Sequence, residues 1–127
     1  MENLKLEGSA KTPSVDFSND SGTLELKGRS IPENSVEFYH PLNEWIDFYG
    51  ADPKKVTTVD IKLEYFNTSS SKCILDLFKK LEKLSGKNTD VKVNWYFEED
   101  DEDMEEAGED YQAIIGLPFK MIEVEEI

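Results

Sequence analysis

Four consecutive hydroxyl residues, Thr68, Ser69, Ser70 and Ser71, stand where a segment with strand periodicity meets one with helix periodicity. Upstream, Val59, Ile61, Leu63 and Tyr65 alternate with Asp60, Lys62 and Glu64, as in a half-buried strand. Downstream, Ile74, Leu77, Phe78, Leu81 and Leu84 recur at helical spacing. A hydroxyl at a helix start accepts a hydrogen bond from one of the first unpaired N–H groups, and one such residue is enough for that task. Four exceed the need. The start of a helix is also where a phosphate is best tolerated, because backbone donors and the helix dipole both favour an anion. The junction therefore points to a regulatory phosphorylation site rather than to an active site.

The rest of the chain reads as alternating strands and helices. Leu4 and Leu6, then Val15 and Phe17, suggest two short strands around a turn at Thr12-Pro13. A third strand is expected at 23–27, followed by an irregular stretch at 29–34. Tyr39, Leu42, Trp45, Ile46 and Tyr49 form a helical stripe, which Pro41 should either kink or restart. A strand at 57–66, a helix at 71–85 and a strand carrying Val91, Val93, Trp95 and Phe97 come next. A helix through Met104, Ala107, Tyr111 and Ile114 and a last strand with Met121 and Val124 complete the order. The expectation is one α/β domain over residues 1–127, a single mixed sheet with helices packed on it.

The net charge of −14 is local. Ten acidic residues and no basic one lie between Glu98 and Asp110, and the remainder carries 18 acidic against 14 basic side chains. This argues against nucleic acid or an anionic membrane as a partner, since both need clustered Lys and Arg. No apolar run approaches the ~20 residues of a membrane helix. The N-terminus has no basic region followed by an apolar core, and a lone cysteine, Cys73, suits a reducing compartment, so a cytoplasmic location is expected.

Catalytic and metal constellations are weak. The acidic run lacks the alternating ligands and glycine of a calcium loop. It is expected to be dispensable for folding and to hold no divalent metal tightly. With one histidine and one cysteine, a zinc site would rest on carboxylates. No nucleophile motif surrounds His40 or Cys73. Ser85-Gly86-Lys87-Asn88-Thr89 ends like a phosphate-binding loop, but Leu81 and Asn88 stand where Gly and Ser or Thr are required. No cofactor is implied. Capping and regulation both remain open at the junction on the residues alone.

Several segments together resemble one family. They are Gly28-Arg29-Ser30-Ile31-Pro32-Glu33-Asn34, Phe38-Tyr39-His40-Pro41-Leu42-Asn43-Glu44-Trp45, the stretch from Leu63 through Lys72, the stretch from Val93 through Met104, and Gly108-Glu109. The chain resembles, in order and over almost its whole length, the SiaC family of bacterial regulatory phosphoproteins. The resemblance implies a STAS-like sandwich akin to the anti-sigma-factor antagonists of partner-switching systems. It also implies phosphorylation by a dedicated kinase, removal by a PP2C-type phosphatase, and an unphosphorylated form that binds a diguanylate cyclase, as the founding members do. That would place the chain in cyclic di-GMP signalling and biofilm control. The family's phosphoacceptor is the threonine of the Asn-Thr-Ser-Ser motif, here Thr68.

The resulting reading is a non-enzymatic switch in which phosphorylation of Thr68 gates a surface flanked by Tyr65, Phe66, Asn67, Ser69, Ser70, Ser71 and Lys72. Lys72 is one candidate to contact the phosphate and Arg29 a second. Alternation sends only one of Tyr65 and Phe66 to the surface. The rivals are a small enzyme using His40, Cys73 or the junction hydroxyls, and a scaffold with an acidic face at 98–110. A deep pocket joining two of those groups would mark the enzyme, whereas an exposed Thr68 marks the switch.

Overall fold

The computed structural model describes residues 2–127. The elements run β1 (Leu4–Leu6), β2 (Ser14–Ser18), β3 (Thr23–Ser30), α1 (Ser35–Tyr49), β4 (Val56–Phe66), α2 (Thr68–Leu84), β5 (Asp90–Glu98), α3 (Glu102–Ile114) and β6 (Phe119–Val124). One six-stranded sheet holds them in the order β1-β2-β3-β4-β5-β6. β1, β2 and β3 pair antiparallel, and β3 through β6 pair parallel. The expected single mixed sheet with helices packed on it is what forms.

Three successive helical crossovers join neighbouring parallel strands in the same order across the sheet, and the usual right-handed connection then puts α1, α2 and α3 on the same side. Burial agrees. Leu24, Leu26, Val59, Ile61, Leu63, Val91, Val93, Trp95 and Phe97 point into the core, against Tyr39, Leu42, Ile46, Ile74, Leu77, Phe78 and Leu81 of the helices. The other face is polar. There Lys62 donates to Glu25 at 3.0 Å and Asn94 to Asp60 at 2.8 Å. The crossover geometry also brings all three helix N-termini to one edge, beyond the C-terminal ends of β3, β4 and β5, where α/β sheets generally carry their sites.

Local details depart from the periodicities. β3 does not stop at Lys27 but continues through Arg29 and Ser30, which pair with Tyr65 and Phe66 of β4. The register shifts between Gly28 and Arg29, so Gly28 faces Leu63, Arg29 faces Tyr65, and Glu64 is the extra residue. Gly28 sits at φ 118°, a conformation L side chains rarely adopt. Such a bulge inverts the inside–outside phase of β4. Leu63 is buried, Phe66 packs edge-on to Trp95 at 6.3 Å, and Tyr65 is 51% exposed. Pro41 does not start a second helix: one helix spans Ser35–Tyr49 with the proline inside it. The apolar stripe buried by α1 outweighs the one intrahelical bond that Pro41 cannot donate.

Candidate functional site

α2 begins three residues earlier than the apolar stripe suggested, because Asn67 caps it. Asn67 Oδ1 accepts from Ser70 N at 2.8 Å and from the Ser69 hydroxyl at 3.1 Å. The four hydroxyls are thus released from capping, and three of them have other tasks. Ser69 meets Ser35 at the start of α1, Oγ to Oγ 2.7 Å. Ser70 is fully buried, donating to the Ser30 carbonyl at 3.0 Å and accepting from Ser30 Oγ at 2.8 Å. Ser71 lies 3.1 Å from the Tyr111 hydroxyl of α3, which also donates to the Ser71 carbonyl at 2.8 Å. Thr68, the first residue of α2, is exposed, and among the described residues its hydroxyl has no hydrogen-bond partner.

The first turn of α2 is therefore braced from β3, α1 and α3, and of its two exposed residues, Thr68 and Ser69, Thr68 is the one whose hydroxyl has no partner among the described residues. The brace reaches Tyr39, whose hydroxyl meets Ser30 Oγ at 2.7 Å. Burial pushes the Tyr39 phenol up to about 12, opposed by the Ser30 hydrogen bond. Burial raises Tyr111 as well, with Ser71 pulling it down. In the unfolded chain tyrosine gives up its proton near pH 10. The folded state therefore holds more protons between pH 10 and about 12, so stability is full below that window and falls as pH rises through it. Two units correspond to roughly 2–3 kcal/mol. Urea midpoints should fall across this window, and fall less in Tyr39→Phe; parallel curves for the two proteins would remove Tyr39 as the cause.

Arg29 and Tyr65 meet at the same strand ends, with the Arg29 guanidinium carbon 6.0 Å from the Tyr65 ring centroid. Lys72 is exposed one turn into α2. The groups of the enzymatic reading differ in setting, with His40 on the surface and Cys73 and Ser70 buried. His40 lies on the surface of α1, 3.1 Å from Glu44 one turn on. Cys73 is buried under α2, and burial raises its thiol pKa, the state of an unreactive cysteine. An enclosed cavity in the core is lined by Phe17, Leu24, Leu26, Ile46, Val59, Ile61 and other apolar side chains, and reaches none of these groups. Ser85-Gly86-Lys87-Asn88-Thr89 follows a helix and leads into a strand, the reverse of a phosphate-binding loop.

The acidic run divides into parts with different roles. Asp101 caps α3, accepting from Met104 N at 3.1 Å, and Glu98 accepts from the Ile127 amide at 3.0 Å. The expectation that the run is dispensable for folding therefore divides by residue, with Asp101 and Glu98 engaged and Glu99 and Asp100 exposed. Asp101→Ala should cost about 1 kcal/mol in urea unfolding. Neutralising the exposed Glu99 and Asp100 should be neutral or mildly stabilising at low salt. Equal losses at all three positions would contradict the division. Among the described residues no group of three or more His, Cys, Asp or Glu is placed to hold a metal ion. No helix there is long and apolar enough to cross a membrane.

Sequence periodicity did not reveal the brace. Ser30 and Ser35 lie outside any apolar stripe, while Tyr39 and Tyr111 look like ordinary core aromatics until their hydroxyls are placed.

The fold is thus a six-stranded mixed sheet carrying three helices, with an exposed threonine at a braced helix start. The model of the SiaC family of regulatory phosphoproteins matches residues 6–124, and the chain belongs to that family. An uncharacterized protein of Pseudomonas aeruginosa strain UCBPP-PA14 is 29% identical over 119 residues, covering 94% of each chain. The crystal structure of apo-SiaC from Pseudomonas aeruginosa superposes with a TM-score of 0.86 at 29% identity, covering 96% of this chain and 99% of that one. SiaC in complex with the diguanylate cyclase SiaD, which it activates, matches with a TM-score of 0.88 at 29% identity, covering 95% and 99%.

Proposed function

We propose that this protein is a cytoplasmic partner-switching regulator with no catalytic activity of its own, and that Thr68 is its phosphoacceptor. A protein kinase adds the phosphate and a PP2C-type phosphatase removes it. The form unphosphorylated at Thr68 binds and regulates a signalling protein, and the SiaC–SiaD complex makes a diguanylate cyclase the leading target. The observation that carries this reading is the division of labour at the junction. Ser69, Ser70 and Ser71 are tied to Ser35, Ser30 and Tyr111, whereas Thr68 is exposed and unbonded among the described residues.

Phosphopeptide mapping of protein isolated from cells lacking the phosphatase tests the assignment. The modification is expected on Thr68, and phosphate confined to Ser69, Ser70 or Ser71 would overturn it. Modification should leave the fold intact. A charge at a helix N-terminus typically contributes about 0.3–1 kcal/mol, too little to reorganise a domain with several kcal/mol of stability. Circular dichroism spectra of the two forms should coincide, and a large loss of helix on phosphorylation would mean that the switch works by melting structure.

A further inference from the structure

We propose that Lys72 is the intramolecular counter-ion of phosphorylated Thr68, and that Arg29 is not. This deepens the reading above and rests on it only for the identity of the modified residue.

Thr68 and Lys72 are four residues apart on α2 and both are exposed, on the side opposite the buried Ser70, Ile74, Leu77 and Leu81. Residues at that spacing have Cβ atoms about 5–6 Å apart. Long helical side chains lean toward the N-terminus, so a lysine covers the turn before its own Cα. That lean would bring the Lys72 ammonium within reach of a phosphate on Thr68. The ammonium is also uncommitted: the ion pairs among the described residues join His40 to Glu44, Lys62 to Glu25 and Lys80 to Asp47.

The charge pattern around the site is unusual for this chain. With 28 acidic residues in 127, none occurs between Glu64 and Asp76. The first turn of α1 carries Glu37 and that of α3 carries Glu102, Asp103 and Glu105, but the first turn of α2 carries no acid. The charges on the other elements at this edge include Lys11, whose carbonyl accepts from Ile31 N just past β3, Glu33 and Glu37 before and in α1, Arg29 and Glu64 at the strand ends, and the acids opening α3. Lys72 is the one cation on the helix that bears the phosphate within that acid-free stretch. Arg29 projects from the sheet face opposite to that of buried Ser30, away from the helices, where it lies over Tyr65.

The test uses full-length protein with phosphothreonine installed at position 68 during synthesis, so that no kinase is needed. Phosphorus NMR follows the second ionisation of the phosphate, which normally falls near pH 6. Lys72→Gln should raise its midpoint by about 0.3 unit, the scale of a one-turn helical ion pair. Arg29→Gln should leave it in place. Unmodified Lys72→Gln should melt at the wild-type temperature, which separates a counter-ion from a structural lysine. An unmoved midpoint in Lys72→Gln, or a larger shift in Arg29→Gln, overturns the assignment. Either result leaves partner exclusion by Thr68 phosphorylation standing, because that is read from affinity and not from titration.

Discussion

Trp95→Ala is expected to remove about 3–5 kcal/mol of folding stability, the usual loss for truncating a buried large aromatic, out of the roughly 5–15 kcal/mol a domain possesses. The indole is fully buried at the centre of an aromatic group, 5.4 Å from Tyr111, 6.3 Å from Phe66 and 6.5 Å from Phe78 between ring centroids. Its N–H donates to the Met104 carbonyl of α3 at 2.9 Å. Gly108 approaches so closely that a Cβ there would stand 2.5 Å from the ring. Trp95 is therefore the seat on which α3 rests, and truncation leaves a void beneath that helix. Trp95→Phe, which keeps most of the volume but loses the hydrogen bond, should cost less. Urea unfolding separates the two, and a loss below about 1 kcal/mol for alanine would show that the site collapses to fill the gap. Because α3 supplies Tyr111 to the first turn of α2, the alanine variant should also loosen the Thr68 junction where it remains folded.

The parts of this fold that could be read from the chain are those in which one face is buried and the other wet. Val59, Ile61 and Leu63 in β4, the Val91-to-Phe97 alternation in β5 and the Ile74-to-Leu81 stripe in α2 each declare their element, and their order implies the parallel sheet with its helices. What escaped depends on tertiary context. The outward turn of Tyr65 needs the extra residue at Glu64, which is set by the pairing of β4 with β3 and not by the strand itself. The continuity of α1 across Pro41 depends on the sheet that buries its stripe. At the candidate site, the hydroxyl run was visible but its internal division was not. Nothing in the order Thr-Ser-Ser-Ser says which hydroxyl is spare, because that follows from Ser35, Ser30 and Tyr111 arriving from three other elements.

That division shapes how a switch at Thr68 would operate. A first turn held by hydroxyl bonds to three other elements has little freedom to rearrange, so a phosphate there would act chiefly as charge and bulk on a preformed surface. Tyr65, 51% exposed, and Val36, 74% exposed on the first turn of α1, supply apolar contact area near the same edge. Phosphorylation adds about −1.5 to −2 charges there. Burying that charge against a surface made for a neutral hydroxyl costs several kcal/mol unless the partner provides a cation, and each 1.4 kcal/mol is tenfold in affinity. Thr68→Ala should keep most of the affinity, and Thr68→Asp should lose much of it.

The decisive measurement is the dissociation constant of the partner recovered from native cells, determined by calorimetry for unmodified, phosphorylated and Thr68→Ala protein at one salt concentration. The account predicts tight binding by the unmodified and alanine forms and binding weakened by orders of magnitude in the phosphorylated form. Equal affinity for the phosphorylated and unmodified proteins would contradict it, and tighter binding by the phosphorylated form would reverse the direction of the switch.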